Sequence, residues 1–375
     1  MARRLTRLAV LPFRLLRSDP DVDFLAFSLA DAITSSLSGL ESLVVRSSLV
    51  GSKYLAESID LRRMRDELDV DVMLTGTLLR SGDRLRVKTE LVELPDGKVL
   101  WSLVSETRMG ELFDLQDQLV ERIVKSLPLS AADREIGRTD VPANPRAYEL
   151  YLRANQMSYE AGTWEVAREL YTQCLAEDPD FAPAWARLGR THRVISKFGQ
   201  DDVGRMLNEA ERALERALFL NPELSLAHYL YAQLEVDIGR ADRALERLLA
   251  RAVKRRTDPD LFAGLVHACR YCGLLEASVA AWELARQLDP SIRTSVIHTF
   301  MARGEYERVI ASRDEATDRS SASRTSRSGA TRRPSRRSSS SRRGSGRIPR
   351  CSASHWGSAG CSLGTRTRRR RGSRS

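Results

Sequence analysis

Trp185-Ala186-Arg187-Leu188-Gly189 opens the stretch that decides the fold, and Ala210, Ala217 and Pro222 close it. The spacing predicts two helices packed as a hairpin. The aromatic and the leucine form the apolar stripe of the first helix. Alanines on the second helix let the two approach closely, and the proline ends it.

Weaker copies flank this unit. Upstream, Pro179 ends a unit with Ala167, Tyr171 and Cys174 on its second helix and Gly162 in its turn. Its first helix, Tyr148 to Tyr159, has Tyr151 in place of tryptophan and Ala154-Asn155 in place of Leu-Gly. Downstream, a third unit opens near Ser225 and carries Tyr231, Gly239, Ala244 and Leu248; a fourth spans Pro259 to Pro290 with Leu265, Gly273, Trp282 and Ala285. A fifth begins at Ser291 and stops after Gly304, Tyr306, Val309 and Ile310. The second unit has about nine extra residues around Ser196 to Val203, which predicts a longer connection between its helices. The pattern resembles the tetratricopeptide repeat, with about four and a half copies over residues 146–312. That resemblance implies an all-α solenoid that grips another protein in its concave face.

Residues 7–127 read differently. Strands are expected at Leu8 to Phe13, Leu43 to Val45, Val70 to Leu79, Leu85 to Leu94 and Val99 to Thr107. Helices are expected at Asp23 to Leu40, Asp60 to Leu68 with Asp60 as N-cap, and Glu111 to Leu127. The order β-α-β-α-β-β-β-α predicts an α+β domain, a mixed sheet with helices on one face. A linker, 128–145, joins it to the repeats. Ala9-Val10-Leu11-Pro12-Phe13, Val45-Arg46-Ser47-Ser48, Leu74-Thr75-Gly76-Thr77-Leu78 and Leu112-Phe113-Asp114-Leu115 together resemble the TolB amino-terminal-like domain of bacterial regulators. In that family the domain precedes tetratricopeptide repeats and follows an effector: a serine/threonine kinase, a nucleotide cyclase or a winged helix like that of CadC-type regulators. The short leader before Leu8 holds no such effector.

Charge is unevenly spread. The chain carries +10 overall, but residues 313–375 hold 18 Arg, 17 Ser and three acids, so the rest is mildly acidic. A tail of that composition is predicted to be disordered. It reads either as an Arg/Ser arm for phosphates or as an out-of-frame translation of GC-rich codons; nucleic acid is an expected partner only in the first case. Five scattered cysteines suit a reducing compartment. No apolar run is long enough to span a membrane, and Leu8 to Phe13 makes a poor signal peptide, so a cytoplasmic location is expected.

No kinase loop, phosphate loop, nucleophile elbow or metal-ligand spacing is present, so the chain is expected to be no enzyme and to need no cofactor, metal or small-molecule substrate. Cys269-x2-Cys272 reads as helix packing, and Asp201-Asp202 as solvated loop. The helical repeats place Gln156, Tyr159, Arg190, Arg193, Tyr229, Gln233, His267 and Arg270 in the concave face. Three arginines and two tyrosines would suit an acidic peptide of a protein partner. The expected function is a scaffold of a bacterial signalling system; the alternative is the regulatory C-terminal part of a kinase or cyclase.

Overall fold

The computed structural model describes residues 5–48, 61–130, 133, 140, 142–160, 162–199, 201–290 and 292–312. The expected Asp60 N-cap, half of the linker and the Arg/Ser tail lie outside them.

The first part is a six-stranded mixed sheet: β1 (Thr6–Val10), β2 (Arg14–Leu15), β3 (Leu43–Val45), β4 (Val72–Ser81), β5 (Arg84–Glu93) and β6 (Lys98–Arg108). The order is β3-β1-β4-β5-β6, with β2 beside β4. β1 pairs in parallel with β3 and β4, whereas β4, β5 and β6 form an antiparallel meander. Helices α1 (Leu25–Leu37), α2 (Leu61–Leu68) and α3 (Leu112–Ser126) complete it. Gly76 is required: a Cβ there would lie 2.5 Å from the Phe13 ring and 2.7 Å from the Lys88 carbonyl.

Two expectations need correction. β2 is a strand that the sequence pattern does not reveal, because two residues carry no periodicity. The helices also do not share one face. Leu8, Val10 and Leu74 pack with Leu29, Ile33, Leu115 and Leu119 of α1 and α3. Ala9, Leu11 and Met73, pointing the other way, pack with Met64 and Leu68 of α2. A strand residue and its neighbour face opposite sides, so a strand apolar at every position is covered twice.

The second part is a row of helical hairpins: α4 (Pro145–Ser158) with α5 (Trp164–Glu177), α6 (Ala182–Phe198) with α7 (Val203–Leu220), α8 (Ser225–Asp237) with α9 (Ala241–Lys254), and α10 (Pro259–Tyr271) with α11 (Leu275–Leu288). α12 (Val296–Arg303) follows, then a helical stretch at 306–312. Gly162, Gly239, Gly273 and Gly304 turn the chain at positive φ. In α6 a Cβ on Gly189 would lie 2.7 Å from Leu214 Cγ, so the glycine lets α7 come close. Tyr171 is wholly buried and donates to Asn155, and Trp282 meets Phe300 edge-on with ring centroids 5.4 Å apart. The extra residues of the second hairpin do not form a long loop. They lengthen its helices to 17 and 18 residues, against 13 or 14 in the other hairpins. Asp201 and Asp202 are accordingly engaged: Asp201 pairs with Arg168 at 2.6 Å, and Asp202 caps α7 by accepting from the Arg205 N–H.

The sheet domain, the first hairpin and the start of the second share one core, in which Tyr148, Tyr151 and Phe181 join Leu25, Leu29 and Leu119. The first helices of the hairpins turn their inner face towards α1. Phe27 meets Tyr159 edge-on at 5.3 Å, and Tyr148 donates to Gln116 of α3. Arg187 of α6 pairs with Asp31 of α1 at 2.9 Å, both at most 5% exposed. Farther along, Thr257 donates to the Glu41 carbonyl. Arg46, 1% exposed, pairs with Asp289 and donates to the carbonyls of Leu68, Asp69 and Leu288.

Candidate binding cavity

Where the hairpins curve past α1 they leave a cavity of about 1380 Å³. One wall is α1 and α3, with Thr34, Ser35, Ser36 and Gln116; the other is built from α4, α6, α8 and the start of α10. Arginines reach it from α6 because Arg187, Arg190 and Arg193 recur every three residues along one face. Tyr148, Tyr151, Tyr159 and Tyr229 supply aromatic surface.

Of the eight residues placed in the groove by spacing, Tyr159, Arg190, Arg193, Tyr229 and Gln233 line this cavity. Gln156, His267 and Arg270 do not. Gln156 donates to Glu160 at the end of its own helix. Arg270 donates to the Ser295 carbonyl and hydroxyl and to His267 Nδ1 at 2.8 Å, which ties α10 to the approach to α12. Burial first, and the Arg270 charge second, push His267 down to about 4, so it is neutral and able to accept. Those two residues serve the contact between neighbouring hairpins.

The lining is less basic than the arginines suggest. Arg193 pairs with Asp237 at 2.5 Å and donates to Gln233. Arg187 donates to Asp31 and to the Tyr159 hydroxyl. Burial opposes its charge, but the surrounding phenols and Asp31 outweigh that and hold it cationic. Arg190 stacks over Tyr159, 5.0 Å from its centroid, and donates to the Ser158 carbonyl. Among the described residues nine acidic side chains and five basic ones line the cavity, so acids outnumber bases there. Asp258 caps α10 by accepting from the Asp260 and Leu261 N–H groups. Burial raises Asp258, and enclosure in the cavity beside Asp258 pushes Asp260 up to about 7 although its side chain meets solvent there. Burial also raises Asp140, to which Asn221 donates both hydrogen bonds.

Sequence spacing misses Arg187, Asp31, Asp258 and Asp260. Asp31 is visible as the single charge in Leu25-Ala26-Phe27-Ser28-Leu29-Ala30-Asp31-Ala32-Ile33, an apolar helix face. Arg187 reads as an ordinary exposed position inside the Trp-Leu-Gly stripe. Among the described residues no group of His, Cys, Asp and Glu could hold a metal ion. No described helix is long and apolar enough to cross a membrane. Cys269 is buried and Cys272 half-buried, and burial raises both thiols.

A family model described as the second domain of HilA/YgeH-like transcriptional regulators matches residues 4–124, the α+β part. That description differs from the TolB likeness read from the motifs. A curated protein of Rhizobium meliloti (strain 1021), "Putative adenylate cyclase 3", is 28% identical over 185 residues, covering 48% of this chain and 32% of that protein. The chain thus spans about a third of that relative's length. Among solved structures, a thermophilic TPR protein of Thermus thermophilus covers 53% of this chain and 91% of its own, with 18% identity and a TM-score of 0.37. The MamA protein covers 52% and 90%, with 18% identity and a TM-score of 0.31.

Proposed function

We propose that this chain is a non-catalytic, cytoplasmic interaction module of a bacterial signalling system that seats a segment of a protein partner in the cavity between α1 and the inner face of the hairpins. The cavity itself carries the reading. Its volume of about 1380 Å³ exceeds the ~300–1,000 Å³ usual for one small ligand. Its walls carry tyrosines and arginines, residue types enriched where proteins meet, with carboxylates beside them. Partner capture with the full chain, followed by reconstitution from purified components, tests it. Arg190→Gln combined with Tyr229→Ala should weaken the dissociation constant at least about tenfold, the size of one lost charged contact. An unchanged constant contradicts the reading.

A second reading is the regulatory part of a larger nucleotide cyclase or kinase. The relative named as an adenylate cyclase favours it, since the match covers only a third of that protein. The nucleotide sequence upstream of Met1 tests it: an in-frame cyclase or kinase domain supports it, and an in-frame stop between the two rules out the fused form.

A further inference from the structure

The cavity has two poles of opposite character. At one, Arg187 Nε and Thr34 Oγ1 have no hydrogen-bond partner, although the residues are only 4% and 8% exposed. Both line the cavity. Asp31 brings them together: it accepts from Arg187, and Thr34 stands one turn farther along α1. The next turn of α6 adds Arg190, which has no carboxylate within ion-pair distance among the described residues. Arg187 and Thr34 back this wall from beneath, and Arg190, without a carboxylate partner among the described residues, is the cation that can meet an acceptor entering the cavity.

The other pole is the start of α10. Asp258 is committed to its helix cap, while Asp260 reaches solvent through the cavity and has no cation within ion-pair distance among the described residues. Tyr229 of α8 also lines the cavity and packs close to Gly264 of α10.

We infer that the cavity takes a peptide segment of mixed charge, with a carboxylate at Arg187, Arg190 and Thr34 and a lysine or arginine at Asp258 and Asp260. This rests on the binding function proposed above and replaces the acidic peptide expected from the arginines alone. A wholly acidic segment would bring like charge to Asp258 and Asp260, and a wholly basic one would bring it to Arg190 and Arg193. Such mismatches are how a site rejects wrong partners.

Three fluorescein-labelled peptides of equal length test this by anisotropy on the full chain at about 0.15 M salt, where distant charges are screened. One is rich in Glu, one in Lys, and one has an acidic half and a basic half. The mixed peptide should bind at least about tenfold tighter than either other. Arg190→Gln and Asp260→Asn should each weaken it severalfold, while Arg212→Gln on an exposed face should not. Thermal midpoints confirm that the variants fold. Absent binding of the mixed peptide, equal or tighter binding of the Glu-rich one, or indifference to both substitutions overturns the inference. If the Arg190→Gln, Tyr229→Ala protein still loses its natural partner while the peptides show no such preference, the charge rule alone fails. If that partner is also held undiminished, the binding function fails with it.

Discussion

A charge taken out of water must meet an opposite charge and enough hydrogen bonds, or the fold loses stability. Arg46 meets that demand with Asp289 and three backbone carbonyls. Arg46→Met leaves Asp289 buried without its cation and should cost about 3–5 kcal/mol in urea unfolding; a loss under about 1 kcal/mol contradicts the contact. Asp260 behaves in the opposite sense. Enclosure within the cavity, and after it the charges of Asp258 and Asp289, lift its folded value above the ordinary 3.8, although the side chain itself meets solvent there. The folded state therefore prefers it protonated. The stability this gives is complete below about pH 4 and is lost as pH rises through about 7. Asp260→Asn should thus raise the thermal midpoint at pH 8, by about 1–2 °C after allowance for its solvent contact, and hardly at all at pH 4. A gain confined to low pH would contradict the sign. At this scale the sequence is only half readable. A lone Asp31 in an apolar helix face announces a buried partner, yet nothing local says that the partner is Arg187, 156 residues away.

Helices and strands are far more legible. Regular spacing of Leu, Ala and Gly locates the hairpins, because the turns at Gly162, Gly239, Gly273 and Gly304 need a residue that accepts positive φ. Gly189 gives a check: Gly189→Ala must push Leu214 aside and should cost about 1–3 kcal/mol. At Gly204 in α7 a Cβ would meet only the Asp202 carboxylate, at 3.5 Å, so Gly204→Ala should be neutral or stabilising by up to about 1 kcal/mol. Equal effects at the two sites would contradict the close approach of α6 and α7. What spacing cannot show is length traded between loop and helix, as in α6 and α7. Nor does it show which face of the sheet α2 covers, since Met64 and Leu68 form a stripe that fits either side. The unbroken apolar run Leu8-Ala9-Val10-Leu11 is the available sign that both faces are buried.

On the scale of the molecule, the hairpins and the sheet domain are joined through one core and several buried polar contacts. An isolated fragment 146–312 would expose Tyr148, Tyr151 and Phe181, so it should melt well below the full chain or fail to fold; a fragment as stable as the whole contradicts the shared core. In the sequence the two parts look like beads on a linker, because contacts between distant segments leave no periodic trace. A double-mutant cycle on Asp31 and Arg187 tests most directly whether α1 docks against the inner face of the hairpins. Asp31→Ala, Arg187→Ala and the pair are measured by urea unfolding. A coupling energy of at least about 2 kcal/mol is predicted for a buried ion pair across the two parts. Additivity within about 0.5 kcal/mol would show that the two residues do not meet.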